Sequence, residues 1–124
     1  MAALPLIELT IAQGGSYETL FTLIGDNGVA TDLTGASAAM QIRADYADRQ
    51  SPTTAALLTL SSATGGGLTL GGAAGTVRIN ITPDQSAGLV PPGYKAVWDI
   101  EIALANGEVE KIGGPVEIWP EVTR

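Results

Sequence analysis

An all-β fold, an antiparallel sandwich or barrel, is what this sequence predicts, and two observations predict it. Apolar and polar residues alternate at period two in short segments, as at Val77, Ile79 and Ile81 or from Tyr94 to Leu104, the pattern of half-buried strands. Between these segments the 16 glycines gather with Asn, Asp, Ser and Thr, so turns recur too often to leave room for long helices.

The first strand is expected over 6–12, with Ile7, Leu9 and Ile11 on one face. After the turn Gln13-Gly14-Gly15, Tyr17, Thr19, Phe21 and Leu23 mark a second strand, expected to pair with the first. Gly25-Asp26-Asn27-Gly28 reads as a hairpin turn, because its residues tolerate left-handed angles. A corner follows at Thr31-Asp32-Leu33-Thr34-Gly35, where Asp32 and Thr34 can each turn a side-chain oxygen onto a nearby N–H. Ala36, Ala38, Met40 and Ile42 then share one strand face. Segment 44–52 is polar and without period, a candidate mobile loop. Strand character resumes over 54–60, and 61–67 is expected to be a hairpin connection to Leu68 and Leu70.

Gly71-Gly72-Ala73-Ala74-Gly75 makes the next turn, before the strand of Val77, Ile79 and Ile81. Thr82-Pro83-Asp84-Gln85 places a capping hydroxyl before a proline at the first helical position, which predicts a single short helix over 84–89. The clearest strand follows Pro91-Pro92-Gly93: Tyr94, Ala96, Trp98, Ile100, Ile102 and Leu104 on one face oppose Lys95, Asp99 and Glu101, and this is expected to be the central strand. Asn106-Gly107 signals a two-residue hairpin, and Val109, Ile112, Val116 and Ile118 form the return. At Gly113-Gly114-Pro115 a bulge or kink is expected to shift the alternation by one residue. Residues 119–124 end the chain as an extended arm.

With 124 residues, 45% hydrophobic and 15% charged, the chain is the size of one domain with a real core, residues 1–124. A net charge of −7 and six scattered basic residues argue against nucleic-acid binding. The amino terminus lacks the basic start of a secretory signal, and no apolar run approaches the roughly 18 residues that cross a bilayer, so neither export nor membrane insertion is expected.

Chemistry is limited by what is missing. Without histidine or cysteine there is no Ser-His-Asp triad, no Cys-His dyad, no imidazole or thiolate zinc site and no disulfide. The 13 carboxylates are spread along the chain. Asp99 with Glu101 and Glu108 with Glu110, close to Lys95 and Lys111, read as an ordinary charged sheet face rather than a glycosidase pair. Gly65-Gly66-Gly67 and Gly71-Gly72 lack the Gly-Lys-Ser/Thr ending of a phosphate loop. Asp32 reads as a turn residue rather than a base or ligand, and neither Asp26-Asn27 nor Asp45-Tyr46-Ala47-Asp48 has calcium-loop spacing. No catalytic residue, metal or cofactor is expected. Trp98 faces the core by period. Trp119 admits two readings, buried packing or exposure toward a sugar or a protein partner.

Several segments together carry a resemblance. They are Ile11-Ala12-Gln13-Gly14, the 31–35 corner, Met40-Gln41-Ile42-Arg43, Pro92-Gly93-Tyr94 leading to Trp98-Asp99-Ile100-Glu101, Asn106-Gly107-Glu108 and Pro120-Glu121-Val122-Thr123-Arg124. In order and spacing they resemble a family of small tailed-phage and prophage virion proteins, similar to the collar protein of L-shaped tail fibres and to the N-terminal domain of lactococcal phage upper baseplate proteins. The resemblance implies an immunoglobulin-like antiparallel β-sandwich of about eight strands with one short helix and extended terminal arms. It further implies a non-enzymatic tail collar or adaptor subunit, assembled in the host bacterial cytoplasm and resident in the virion. Such a subunit homo-oligomerises and docks other tail, fibre or capsid proteins.

Capsid decoration is the nearest alternative. A carbohydrate-binding module, with Trp119 and Tyr46 stacking on sugar rings, is the alternative from another class. Tyr46, Arg49, Trp119 and Arg124 are the candidate interaction residues, and residues 1–5 and 119–124 are candidate arms for exchange between subunits.

Overall fold

The computed structural model describes residues 6–25, 27–44 and 56–122. Among them eight strands form two sheets. In chain order these are β1 (Leu9–Ala12), β2 (Tyr17–Thr22), β3 (Ser37–Arg43), β4 (Leu58–Ser61), β5 (Leu68–Leu70), β6 (Thr76–Ile81), β7 (Lys95–Ala103) and β8 (Val109–Trp119). One sheet has the order β1-β8-β7-β3-β4 and the other β2-β6-β5. Two facing sheets with these connections make an immunoglobulin-like sandwich.

Period-two patterning explains where the core sits. Ala38, Met40 and Ile42 of β3, Ala96, Trp98, Ile100 and Ile102 of β7, and Ile112, Val116 and Ile118 of β8 turn inward and are buried. They meet Val77, Ile79 and Ile81 of β6 and Leu68 of β5 across the sandwich. Each such aliphatic side chain contributes about 1.5–3 kcal/mol by leaving water. The central position of β7, paired with β8 on one side and β3 on the other, is as its long apolar face predicts.

The expected helix is one turn, α1 (Pro83–Ala87). Thr82 Oγ1 accepts the Gln85 N–H at 3.2 Å and Gln85 Oε1 accepts the Thr82 N–H at 2.9 Å, a reciprocal cap that starts the helix where Pro83 has no N–H to lose. Ser86, fully buried, lies with its Oγ 2.7 Å from the Gly15 carbonyl, which fastens the turn to the β1–β2 connection.

The structure corrects the expected pairing in several places. β1 does not pair with β2. It runs parallel to β8, Leu9 beside Val116 through Ala12 beside Trp119, while β2 pairs with β6, so the sandwich is not antiparallel throughout. Local alternation defines which face of a strand is buried and not which neighbour it bonds to. Segment 61–67 is not a hairpin: β4 and β5 belong to different sheets, and the Ser61–Gly67 bridge is parallel. The loop after β7 has three residues rather than two, closed by Leu104 N–H to Glu108 O at 2.8 Å, with Gly107 at φ +93. β8 carries no bulge, because its register with β7 is continuous from Val109 beside Ala103 to Glu117 beside Lys95. Val109 therefore lies on the outer face and is exposed.

The glycines that suggested a bulge serve close approach. Gly114 faces inward opposite Trp98, and a Cβ there would stand 2.3 Å from the Ile7 carbonyl oxygen. Into that space comes the chain ahead of β1: Ile7 N–H donates to Gly113 O at 2.9 Å, and the buried Trp98 Nε1–H donates to Ile7 O at 2.8 Å.

Two outcomes are expected from this contact. Gly114→Ala should lower the urea midpoint by the equivalent of about 2–3 kcal/mol and speed amide exchange in β1 more than in β6. Trp98→Phe, which empties volume and orphans the Ile7 carbonyl, should cost about 2–4 kcal/mol by the same denaturation measurement.

Candidate functional site

Groups able to do acid–base or metal chemistry are dispersed. Among the described residues no three of His, Cys, Asp or Glu gather to hold a metal ion. Asp32 is exposed and its Oδ1 accepts the Thr34 N–H at 2.9 Å, the turn role its sequence context implies. The Thr34 hydroxyl and N–H beside it hold its carboxyl below the usual carboxylate range. Lys111 pairs with Glu101 at 2.8 Å on the outer face of the five-stranded sheet, the charged-face arrangement expected there. An open groove of about 690 Å³ lies between the 61–67 connection and the 33–36 corner, with Asn80, Thr82 and Gln85 at its far side. None of its lining residues is titratable, so it has no base or acid to offer.

A different surface is built with more care, at the end of the sandwich where β1 and β8 finish. Gln13 is its organising residue. Its N–H donates to Trp119 O at 2.9 Å, its Oε1 accepts the Glu121 N–H at 3.0 Å, and its Nε2 donates to Leu89 O at 3.2 Å. Backbone and side chain of one residue thus extend the β1–β8 ladder past the last strand residue and tie it to the segment after α1.

Around this clamp stand apolar side chains in water. Trp119 is 60% exposed, Val90 62% and Val122 91%. Tyr94, partly exposed, lies in the 3-10 turn Pro92–Tyr94 that packs near β8. Tyr94 has φ +57 directly after Gly93 at φ +68. Two consecutive left-handed residues, the second aromatic, are unfavourable for an L side chain, and they turn Tyr94 off the inward face that alternation predicts for it.

Trp119 is thus the exposed of its two readings. It is not part of an arm, since it closes β8 opposite Ala12. Tyr46, Arg49, the loop that carries them, Arg124 and residues 1–5 lie outside the described residues. Val90, Tyr94 and Gln13 join Trp119 although alternation singled out none of them for the surface. A signal for Gln13 existed in its place directly after an apolar strand and before two glycines, but nothing local names its three partners.

No family model matches this sequence, and no curated protein matches it. Solved structures that resemble the fold include a complex of Dpr1 IG1 bound to DIP-eta IG1, at 13% identity over 92% of this chain and 90% of that chain, TM-score 0.44. The first Ig-like domain of human CD48 antigen matches at 10% identity over 100% of this chain and 90% of that chain, TM-score 0.41. Tim-1 matches at 12% identity over 100% and 99%, TM-score 0.40. At these scores the strand order, and not the likeness, carries the description of the fold as immunoglobulin-like.

Two measurements check this surface. Gln13→Ala should cost about 1–3 kcal/mol in urea denaturation and release the amides of Glu121 and Val122 to fast exchange, because the Glu121 N–H and the Leu89 carbonyl lose their side-chain partner. Asp32 binds its proton less readily folded than unfolded, so its contribution is present above its ordinary range and is lost as pH falls through the lower folded value. The acid limb of the stability profile should accordingly be shallower in Asp32→Ala than in the native chain.

Proposed function

We propose that this chain is a non-enzymatic structural subunit of a tailed-phage or prophage virion, of the tail collar or adaptor type, which oligomerises and docks other tail or fibre proteins. The observation that carries the reading is the exposure of the apolar side chains of Trp119, Tyr94, Val90 and Val122 toward the end of the sandwich where β1 and β8 finish. Aromatic residues held in water by a fixed backbone serve binding better than folding, since burying them elsewhere would have stabilised the fold more. Gln13 supports the same reading by fixing the direction in which the chain leaves β8. The motif order described for the sequence supplies the virion context. No helix among the described residues is long and apolar enough to cross a membrane.

A second reading is favoured by one observation. Trp119 presents an indole on the outer face of the five-stranded sheet, as a sugar-stacking platform does, so a carbohydrate-binding module is the alternative.

Assembly on the particle decides between them. Trp119→Ala should leave the thermal midpoint nearly unchanged, as expected for an exposed residue. It should reduce incorporation into particles about tenfold or more, in line with aromatic hot spots. Incorporation unaffected by Trp119→Ala, together with measurable glycan binding abolished by it, would instead establish the carbohydrate module.

A further inference from the structure

The edge of the three-stranded sheet offers a partner site separate from the Trp119 surface. Among the described residues β2 bonds to a strand on one side only, β6. Leu23 N–H donates to Gly75 O at 2.9 Å, and the antiparallel register from Tyr17 beside Ile81 to Thr22 beside Thr76 continues that ladder. In such a ladder bonded pairs alternate, so the odd-numbered residues of β2 bond to β6 and the backbone groups of Glu18, Leu20 and Thr22 turn to the open side.

Natural sheets blunt open edges by keeping them short or by placing Lys, Pro or a bulge on them. β1 and β4 have four residues and β5 three. β2 has six, without Gly, Pro or Lys, and its outer face shows Leu20 at 52% exposure, with Ile24 at 58% just beyond the strand.

We infer that β2 pairs with β2 of a second copy of this chain, antiparallel about a two-fold axis at Leu20. The inference rests on the oligomeric reading proposed above and names its interface. The strand is self-complementary about that axis. Leu20 meets Leu20, Glu18 falls opposite Thr22, Tyr17 opposite Leu23 and Thr19 opposite Phe21. The inward residues Tyr17, Phe21 and Leu23 are only half-buried in the single chain, and the second copy completes their cover.

Charge points to the same occupant. Each chain carries −7, yet the one charged residue of β2, Glu18, is already paired with Arg78 of β6 at 2.5 Å, so two copies meet here without like charges opposed. The result is one continuous sheet across the axis, with the backbone groups of Glu18, Leu20 and Thr22 satisfied on both sides.

The test uses the absence of native cysteine. Leu20→Cys places one thiol per chain on the axis, where Cα atoms of a bonded pair lie about 5.5 Å apart, within disulfide reach. Mild oxidation should convert most of Leu20→Cys to a covalent dimer and leave Val109→Cys, equally exposed but remote, monomeric on a non-reducing gel. Sedimentation of the native chain should show a dimer that Leu20→Lys weakens at least tenfold, with its circular dichroism spectrum retained.

A native chain that stays monomeric at all concentrations overturns this inference and the oligomeric reading together. An oligomer that survives Leu20→Lys and gives no Leu20→Cys cross-link overturns the β2 pairing alone. If Leu20→Lys fails to fold, the cross-link yield of Leu20→Cys against Val109→Cys decides.

Discussion

The structure depends on a gap in one strand. Gly114 stands on the inward face of β8 opposite Trp98, and because it has no side chain, the backbone at Ile7 comes within hydrogen-bonding distance of the Trp98 indole. That contact delivers β1 to β8 in a parallel pairing, which local chain reversal alone could not have made. With β1 committed to the larger sheet, β2 is left as the edge of the smaller one, and the sandwich takes its order. The indole proton would otherwise be a buried donor without a partner, so the large apolar ring and the hydrogen bond come as one arrangement.

From this arrangement follow two exposed surfaces. Because β1 lies along β8 as far as Ala12 beside Trp119, Gln13 emerges next to the last strand residue and can clamp Glu121 and Leu89 at once. The Trp119 carbonyl bonds to Gln13, while Val90 and Val122 directly follow the residues that the Gln13 side chain holds, and Tyr94 lies in the turn packed near β8. The second surface is the far side of β2, which no other described strand pairs. Among the carboxylates, Asp32 holds a turn and Glu101 pairs with Lys111 on the outer sheet face.

The helical turn α1 shows local and distant interactions agreeing. Thr82, Pro83 and Gln85 start it by contacts three residues apart, while Ser86 holds it to Gly15, 71 residues away in the chain. Leu89, fully buried, then anchors the segment that positions Val90.

Sequence by itself determined most strand-forming segments, their inward faces except at Tyr94 and Val109, the capped helix, the Asp32 turn and the central place of β7. Each of these rests on side-chain period or on bonds between residues a few positions apart, and such terms are present in any local stretch of chain. Tertiary structure alone decided that β1 joins β8, that the 61–67 segment crosses between sheets, that Gly113 and Gly114 admit a neighbouring backbone instead of making a bulge, and that Trp119 faces water. These outcomes turn on which surfaces meet over long separations, Ile7 with Trp98 and Gln13 with Glu121, and the period of a strand is the same whichever neighbour it finally bonds.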